Sequence, residues 1–102
     1  MKKVAEKVIL VQLLGIFKAI EKNLITVSEG EKFLLSPRTV RKLTELNCNE
    51  VIIDIINEGC ELEDIESLIP DKLLENVQNL TVQVENLLMT YDIIDDINWT
   101  EQ

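Results

Sequence analysis

The amino-acid sequence predicts an all-α protein, a compact bundle of five or six helices in which the first and last helices are the long ones. Three observations favour this fold class. The 102 residues include only 3 glycines and 2 prolines, which leaves few positions for sharp turns. Apolar residues recur at steps of three and four near both ends of the chain. Hydrophobic residues make up 46% of the sequence, enough for the core of a single helical domain spanning residues 1–102.

The first predicted helix spans residues 3–22. Its charged residues cluster on one face: Lys3, Glu6, Lys7, Lys18, Glu21 and Lys22. In the middle of the helix, however, Leu10, Val11 and Leu14 fall on that same side, so the centre is apolar all round. Such a helix is expected to be buried on all sides, either centrally in the domain or at an oligomer interface.

A short second helix is predicted near Ser28. Ser28 and Glu31 have the spacing of a capping box, and Thr26 with Glu29 offers the same spacing two residues earlier. The helix can only be short, because Ser36-Pro37 starts a new one.

The third predicted helix begins at that Ser-Pro pair. Ser36 is a good N-cap residue and Pro37 suits the first helical position. Leu35 and Val40 occupy the positions of a hydrophobic staple. The helix is expected to run to about Leu46 and to stop at the Asn-Cys-Asn that follows, where either asparagine is suited to a cap role.

A compact apolar helix is predicted over residues 50–58, followed by a short amphipathic helix that ends before Pro70. Gly59 stands where a left-handed residue is expected after a helix. Because isoleucine and valine also favour strands, a strand is the alternative for residues 50–58. The predicted buried residues are Val51, Ile52, Ile55 and Ile56 in the first of these helices and Leu62, Ile65, Leu68 and Ile69 in the second.

The last predicted helix carries an apolar seam with alternating steps of four and three. The seam residues are Leu73, Val77, Leu80, Val84, Leu87 and Tyr91. We predict that an antiparallel helix of the same bundle covers this seam, and a homodimer seam is the alternative. Residues 92–102 follow as an acidic C-terminal tail that also carries bulky apolar residues.

Charge is distributed unevenly along the chain, whose net charge is −9. Residues 1–42 contain nine of the ten bases and four acids, a balance of +5, whereas residues 43–102 contain one base and fifteen acids, a balance of −14. We expect Arg38, Arg41 and Lys42 to face carboxylates, either the protein's own or those of a partner. The candidate acidic residues are Glu61, Glu63, Asp64 and Glu66. A solvated helix face is the plainer interpretation of that acidic run.

The same three bases raise the hypothesis of DNA binding, because recognition helices present their first turns to base edges. The string Ser-Pro-Arg-Thr-Val at residues 36–40 resembles the second helix of the helix-turn-helix in two-component regulators. Gly30 suits the small site of the preceding helix in that motif, but Glu29 stands where an aliphatic residue belongs. The negative net charge also disfavours a nonspecific nucleic-acid binder, so we expect no nucleic-acid partner.

Several chemistries are excluded by composition. The sequence contains no histidine, which removes the commonest general base and the usual zinc ligand. Its glycines are isolated, so no phosphate-binding loop is present. Glu63 and Glu66 form one carboxylate pair of the kind that binds Mg²⁺, without the second pair. Cys48 and Cys60 are expected to be reduced and structural. We predict no catalytic residue, no metal site, no cofactor and no enzymatic activity.

The basic first residues and the apolar run from Val8 to Phe17 look like the start of an export signal. However, charged residues interrupt the approach to the run, no small-residue cleavage site follows it, and it is too short to span a bilayer. We expect a cytoplasmic protein with no membrane association.

Two stretches carry a resemblance to a known family: Leu34-Leu35-Ser36-Pro37-Arg38-Thr39 and Glu61-Leu62-Glu63-Asp64-Ile65-Glu66-Ser67-Leu68-Ile69-Pro70. Over most of residues 8–75 the chain resembles a small family of acidic, helical bacterial proteins with no assigned function. The resemblance implies a helical cytoplasmic protein and no catalytic residue.

The sequence therefore predicts a non-enzymatic protein–protein interaction or adaptor module with an unknown protein partner, which also self-associates as a homodimer. The first alternative is an inhibitor or immunity-type protein whose acidic half masks a basic partner. The second, less favoured alternative is a DNA-binding regulator that uses the helix starting at Ser36.

Overall fold

The computed structural model describes residues 3–94, and within this range the chain is all-helical, as predicted. The α-helices are α1 Lys3–Glu21, α2 Val27–Phe33, α3 Pro37–Glu45, α4 Glu50–Gly59, α5 Leu62–Leu68 and α6 Leu73–Leu88. A 3₁₀ helix, Pro70–Lys72, connects α5 to α6. The predicted acidic tail lies outside the described residues from residue 95 onward.

Four of these helices are the main elements of the bundle, so the prediction of five or six bundle helices was too high. α1, α3, α4 and α6 have 19, 9, 10 and 16 residues, whereas α2 and α5 have seven each. Because a residue that precedes proline disfavours the helical conformation, Pro37 and Pro70 hold α2 and α5 to about two turns. These two short helices therefore act as connections. α1 and α6 are the longest helices, as predicted.

The starts of α2 and α3 are set by local hydrogen bonds. The Thr26 hydroxyl accepts a hydrogen bond from the Glu29 N–H at 3.0 Å, and Glu29 Oε1 accepts one from the Thr26 N–H at 2.9 Å. This reciprocal capping box starts α2 two residues before the predicted Ser28, so the earlier of the two candidate boxes is the one that forms. α3 begins as predicted, with Ser36 as its N-cap and Pro37 in its first turn.

Both asparagines between α3 and α4 have cap roles. Asn47 is in the left-handed region, with φ of 56°, where the chain leaves α3. Asn49 is the N-cap of α4, and its Oδ1 accepts a hydrogen bond from the Val51 N–H at 2.8 Å. Asparagine tolerates a left-handed backbone better than most residues, which suits Asn47, whereas Asn49 acts through its side-chain oxygen.

α1 and α6 pack along each other in opposite directions. Tyr91, just beyond the end of α6, is bonded to Glu6 near the start of α1, whereas Gln78 in α6 is bonded to Glu21 at the end of α1. The buried residues of the two helices belong to one core: Leu10, Leu13, Phe17 and Ile20 from α1, and Val77, Leu80 and Val84 from α6. The predicted antiparallel partner for the seam of α6 is thus confirmed, and that partner is α1.

The prediction that the middle of α1 is buried on all sides is wrong for a single chain. Leu10 is fully buried, but Val11 is 55% exposed and Gly15 also lies on the surface. The helices of the bundle cover only one side of α1. α1 therefore keeps an apolar outer face within the described part of the chain. No helix in residues 3–94 is both long enough and apolar enough to cross a bilayer.

α4 is a helix, as favoured over the strand alternative, but two of its predicted features are wrong. Val51 is half-exposed, because α4 buries only the side that carries Ile52, Ile55 and Ile56. Gly59 is the last residue of the helix and has no positive φ. A Cβ atom at Gly59 would lie 2.7 Å from Leu35 Cδ2, so close packing rather than a left-handed turn explains this glycine.

α5 buries less of its apolar surface than predicted. Leu62 is fully buried and Ile65 is partly buried, but Leu68 and Ile69 are exposed. With only two turns, α5 contacts its neighbours mainly through its first turn, and its end projects toward solvent.

Candidate functional site

The charged residues predicted to interact are all exposed, but the structure does not bring the two sets together. Arg38, Arg41 and Lys42 lie on α3, which packs against α4. The acidic set, Glu61, Glu63, Asp64 and Glu66, lies on or just before α5, which packs against α2 and α6. Among residues 3–94 no ion pair joins the two sets. The pairing within one chain is therefore not formed, and pairing with a partner's carboxylates stays a prediction.

Glu63 has another carboxylate as its neighbour, not a base. A hydrogen bond with Glu31 of α2 and the negative charge of Glu31 raise the pKa of Glu63 above its ordinary value. Two carboxylates held side by side cannot both ionise freely. The nearest charged partner of Glu63 is therefore an acid of α2 and not a base of α3.

A buried polar network joins three segments at one end of the bundle. Glu6 is only 4% exposed, and its two carboxylate oxygens have different donors. Oε1 accepts a hydrogen bond from the Tyr91 hydroxyl at 2.9 Å, and Oε2 accepts one from the Asn49 N–H at 2.8 Å. Asn49 Nδ2 donates to the Tyr91 hydroxyl oxygen at 3.2 Å. The network ties α1, the start of α4 and the segment after α6 together.

The sequence analysis missed this network, because it placed Glu6 on the charged face of the first helix. A signal for its burial was present. Glu6 precedes Leu10, Leu13 and Phe17 at steps of four, three and four, which is the spacing of the buried face. An acid in phase with core residues must find donors inside the protein.

Two lysines of α1 contact the residues that follow α6, next to this network. Lys3 Nζ lies 5.2 Å from the centre of the Tyr91 ring, a cation–π distance. Lys7 Nζ donates a hydrogen bond to the backbone carbonyl of Asp92 at 2.8 Å. Both lysines hold the residues after α6 against the start of α1.

The network has little capacity for catalysis. Burial and the hydrogen bond to Glu6 raise the pKa of Tyr91, so its hydroxyl stays protonated and acts as a donor. Burial and the charge of Glu6 raise the pKa of the Cys48 thiol, which disfavours the reactive thiolate. Cys60 is also a free thiol, and burial followed by the charges of Glu31 and Glu61 raises its pKa. The network is best explained as part of the fold.

An apolar groove of about 570 Å³ lies on the outer side of α1, next to α2 and the residues that follow it. Its lining residues are Gln12, Gly15, Ile16, Ala19, Ile25, Lys32, Phe33 and Leu34. Phe33, at the end of α2, is 57% exposed. None of the lining residues is an acid, and one is a base. The groove can therefore accept apolar groups of another molecule.

Gly15 in this groove has no packing role among residues 3–94. A Cβ atom added there would meet nothing within 4 Å, in contrast to Gly30 and Gly59, whose Cβ positions are occupied by neighbouring side chains. Glycine in the middle of a helix costs about 1 kcal/mol relative to alanine. The fold of a single chain thus gives no reason for glycine at this position.

The segment that resembles a helix-turn-helix has some of the features of that motif. α2 and α3 are joined by three residues, 34–36, and Gly30 is buried. Glu29 does not pack the turn. Its carboxylate is bonded to the Thr26 N–H as part of the capping box. The aliphatic contact of the motif is therefore missing from this position.

The model of one protein family, described as Protein of unknown function (DUF3969), matches residues 1–101 of the chain. The chain belongs to this family. The resemblance to a small family with no assigned function is thereby confirmed. Comparison with curated proteins and with solved structures gave no match.

Proposed function

We propose that this DUF3969 protein is a non-enzymatic protein–protein interaction module of the cytoplasm, and that the groove beside α1 binds an apolar segment of a partner protein. The observation that carries the proposal is the exposure of Phe33 at this groove, 57% of its surface. Contiguous exposed apolar surface is characteristic of binding sites. Phenylalanine is among the aromatic residues enriched at protein interfaces.

The outer face of α1 extends this surface. Val11 lies one turn before Gly15, and Ala19 lies one turn after it, so the three residues fall along one side of the helix. Val11 is half-exposed although it is apolar, and Gly15 costs helix stability although no neighbour in the described part of the chain requires a glycine there. Contact with a partner at this face accounts for both observations.

We expect no enzymatic activity of this protein. The sequence has no histidine, and within residues 3–94 no cluster of three or more acids or cysteines could hold a metal ion. A Mg²⁺-dependent phosphohydrolase activity that is lost in Glu63→Gln would contradict this expectation. The assay would use the purified chain with a general phosphomonoester.

The groove can be tested in the native cell with a photo-crosslinking amino acid. The crosslinker replaces Phe33 in one variant and Met89, which lies just beyond the end of α6 and is 83% exposed, in a matched control. We expect one discrete protein adduct from position 33 and none from position 89. Equal labelling from both positions would indicate random collisions and would contradict the proposal.

Binding of the identified partner would then be measured with purified proteins. Phe33→Ala should weaken the affinity by tenfold or more, which corresponds to about 1.4 kcal/mol. Met89→Ala should leave the affinity unchanged. An affinity that is the same for both variants would exclude the groove as the binding site.

A second candidate function is an inhibitor or immunity-type protein that masks a basic partner. It is favoured by exposed acids of α4 at steps of four, Glu50, Asp54 and Glu58, and by Glu61, which follows three residues later just before α5. None of them forms an ion pair within the described residues. Like charges at such spacing destabilise a helix by about 0.2–0.5 kcal/mol per pair, a cost that a basic partner would offset. This candidate predicts that partner affinity is lost in Asp54→Asn with Glu58→Gln and collapses at high salt.

DNA binding by α3 remains the less favoured alternative. The three exposed bases of α3 can neutralise few phosphates, and the rest of the chain is strongly acidic. We expect no change in the anisotropy of a labelled duplex at physiological salt. Duplex binding with a steep salt dependence, abolished when Arg38, Arg41 and Lys42 are changed to Gln, would overturn this expectation.

Self-association as a homodimer stays a prediction. The seam of α6 is occupied by α1 of the same chain, so a dimer would have to use another surface. Light scattering at high micromolar concentration tests it, and a monomeric mass would contradict it.

A further inference from the structure

We infer that the partner segment is an acidic amphipathic helix that crosses α1 at Gly15, with its apolar side in the groove and its carboxylates near Lys18, Lys22 and Lys32. This inference rests on the proposed function, because it specifies the chemistry of the partner at the same groove.

Lysines surround the groove on two sides. Lys32 lines it directly, from the last turn of α2. Lys18 of α1 follows the groove residue Gly15 by three residues, and Lys22, just beyond the end of α1, follows the groove residue Ala19 by three residues. All three lysines are exposed. The positive charges at the groove therefore come from two helices that meet there.

The closest acid of α1 pairs with only one of the three lysines, Lys18. Glu21 Oε2 lies 3.3 Å from Lys18 Nζ, and Glu21 Oε1 accepts a hydrogen bond from Gln78 Nε2 of α6 at 3.1 Å. The Glu21 side chain is thus turned toward α6, and these bonds lower its pKa. Lys22 and Lys32 form no ion pair among residues 3–94. A partner that carries carboxylates finds free positive charge at this groove, whereas the chain as a whole is acidic.

The groove fits a helix. Gly15 and Ala19 lie one turn apart and present almost no side chain, so the backbone of a second helix can approach α1 closely there. Ile16 and Phe33 stand beside them and can contact residues spaced three and four apart on an incoming helix. The described residues contain no strand, so they offer no sheet edge to an extended peptide.

A second copy of this chain does not fit the groove through its own α1. An α1-to-α1 pairing would set Lys18 and Lys22 of one copy against the lysines of the other, and like charges in an interface are unfavourable. Charge complementarity therefore favours an acidic helix as the occupant over α1 of a second copy.

Two synthetic peptides test the chemistry of the occupant. Both are 16-residue amphipathic helices with leucine at every third and fourth position, one flanked by glutamates and its twin by lysines. Fluorescein-labelled peptides are titrated with the full chain, and binding is followed by anisotropy. We expect the glutamate peptide to bind at least tenfold more tightly than the lysine peptide at low salt, with the difference shrinking as salt rises.

Two triple variants with the same change in net charge locate the effect. Changing Lys18, Lys22 and Lys32 to Glu should remove the preference for the glutamate peptide. Changing Arg38, Arg41 and Lys42 to Glu should leave the preference intact. The neutral change of the first three lysines to Gln is made in parallel, because three reversed charges beside Glu21 could unfold α1. This glutamine variant should reduce the preference for the glutamate peptide and should keep the helical circular dichroism signal.

The outcomes separate this inference from the proposed function. Equal binding of both peptides, or a loss of preference in the α3 variant but not in the lysine variants, would overturn the acidic partner. The groove itself would then still stand if Phe33→Ala weakens both peptides. If Phe33→Ala has no effect on a peptide that binds, the groove is not the site and the proposed function fails. If neither peptide binds, the inference is also overturned. The proposed function is then decided separately by crosslinking from position 33.

Discussion

The two faces of α1 are governed by different requirements. The inner face meets α6 and the start of α4, and every group on it has a partner there, including the buried carboxylate of Glu6. The outer face carries Val11 and Gly15, which are exposed and have no counterpart in the described chain. Folding explains the inner face completely. Gly15 on the outer face costs helix stability, and the proposed partner contact accounts for it.

The largest expected effect comes from charging the inner face. Leu80→Asp places a carboxylate opposite α1, where it has neither water nor a donor, at a cost of several kcal/mol. We expect this variant to lose its helical circular dichroism signal at room temperature. Val82→Asp, at a half-exposed position of the same helix, should remain folded. A folded Leu80→Asp variant would show that the α1–α6 contact is not the core of the protein.

Removing the buried carboxylate tests the network of the inner face. Glu6→Ala leaves the Asn49 N–H and the Tyr91 hydroxyl without their acceptor, and each unsatisfied buried donor costs about 1–3 kcal/mol. We expect a loss of about 2–5 kcal/mol in the free energy of unfolding, measured in urea. Glu45→Ala, on the exposed end of α3, is the control and should change it little. A loss below 1 kcal/mol in Glu6→Ala would mean that water replaces these bonds.

The two glycines Gly15 and Gly59 should respond to alanine with opposite signs. Gly15→Ala removes the helical cost of glycine without a contact and should stabilise the fold by about 0.5–1 kcal/mol. Gly59→Ala places a methyl group against the buried Leu35 side chain and should destabilise it by about 1–2 kcal/mol after the helical gain. Thermal unfolding of both variants measures the contrast. Destabilisation by Gly15→Ala would reveal an internal role for this glycine.

The raised pKa of Tyr91 predicts a specific dependence on pH. A group whose pKa is raised on folding contributes stability below its unfolded value, 10.0, and loses it as pH rises through the folded value. Tyr91→Phe should be less stable than the wild type at pH 7, because the hydrogen bond to Glu6 is lost. The difference in the free energy of unfolding between the wild type and Tyr91→Phe should become smaller above pH 10. A gap that stays constant in urea titrations up to pH 11 would contradict the hydrogen-bonded placement of Tyr91.

The smallest effect is expected on α3. Changing Arg38, Arg41 and Lys42 to Gln removes exposed charges that form no ion pair among residues 3–94, and such charges contribute about 0–1 kcal/mol. The melting temperature should therefore move little. Ser36 and Pro37 should still start the helix. A large drop in melting temperature would mean that the three bases stabilise the fold through carboxylates of the same chain.

Local signals in the sequence predicted the fold better than the site. The Ser36-Pro37 start and the α6 seam depend only on residues that are near each other in sequence. The sequence therefore predicted where α3 begins and which side of α6 is buried. Glu6 and Gly59 depend on residues far along the chain, Tyr91 and Leu35. The spacing in α1 signals that Glu6 is buried, but no local pattern identifies either distant residue. The groove was hidden for the same reason. Gly15 and Phe33 meet only when α2 folds back beside α1.

The groove beside α1 is the proposed binding surface. Its role is tested most directly by changing the size of the side chain at residue 15. Crosslinking from position 33 in the native cell is compared between Gly15→Ala and Gly15→Leu. The open space around the Cβ position should let both variants fold, with unchanged or raised melting temperatures. We predict that the adduct is lost in Gly15→Leu, whose side chain fills the groove, and is largely kept in Gly15→Ala. An adduct of the same yield in a folded Gly15→Leu variant would contradict the assignment of this face as the binding surface.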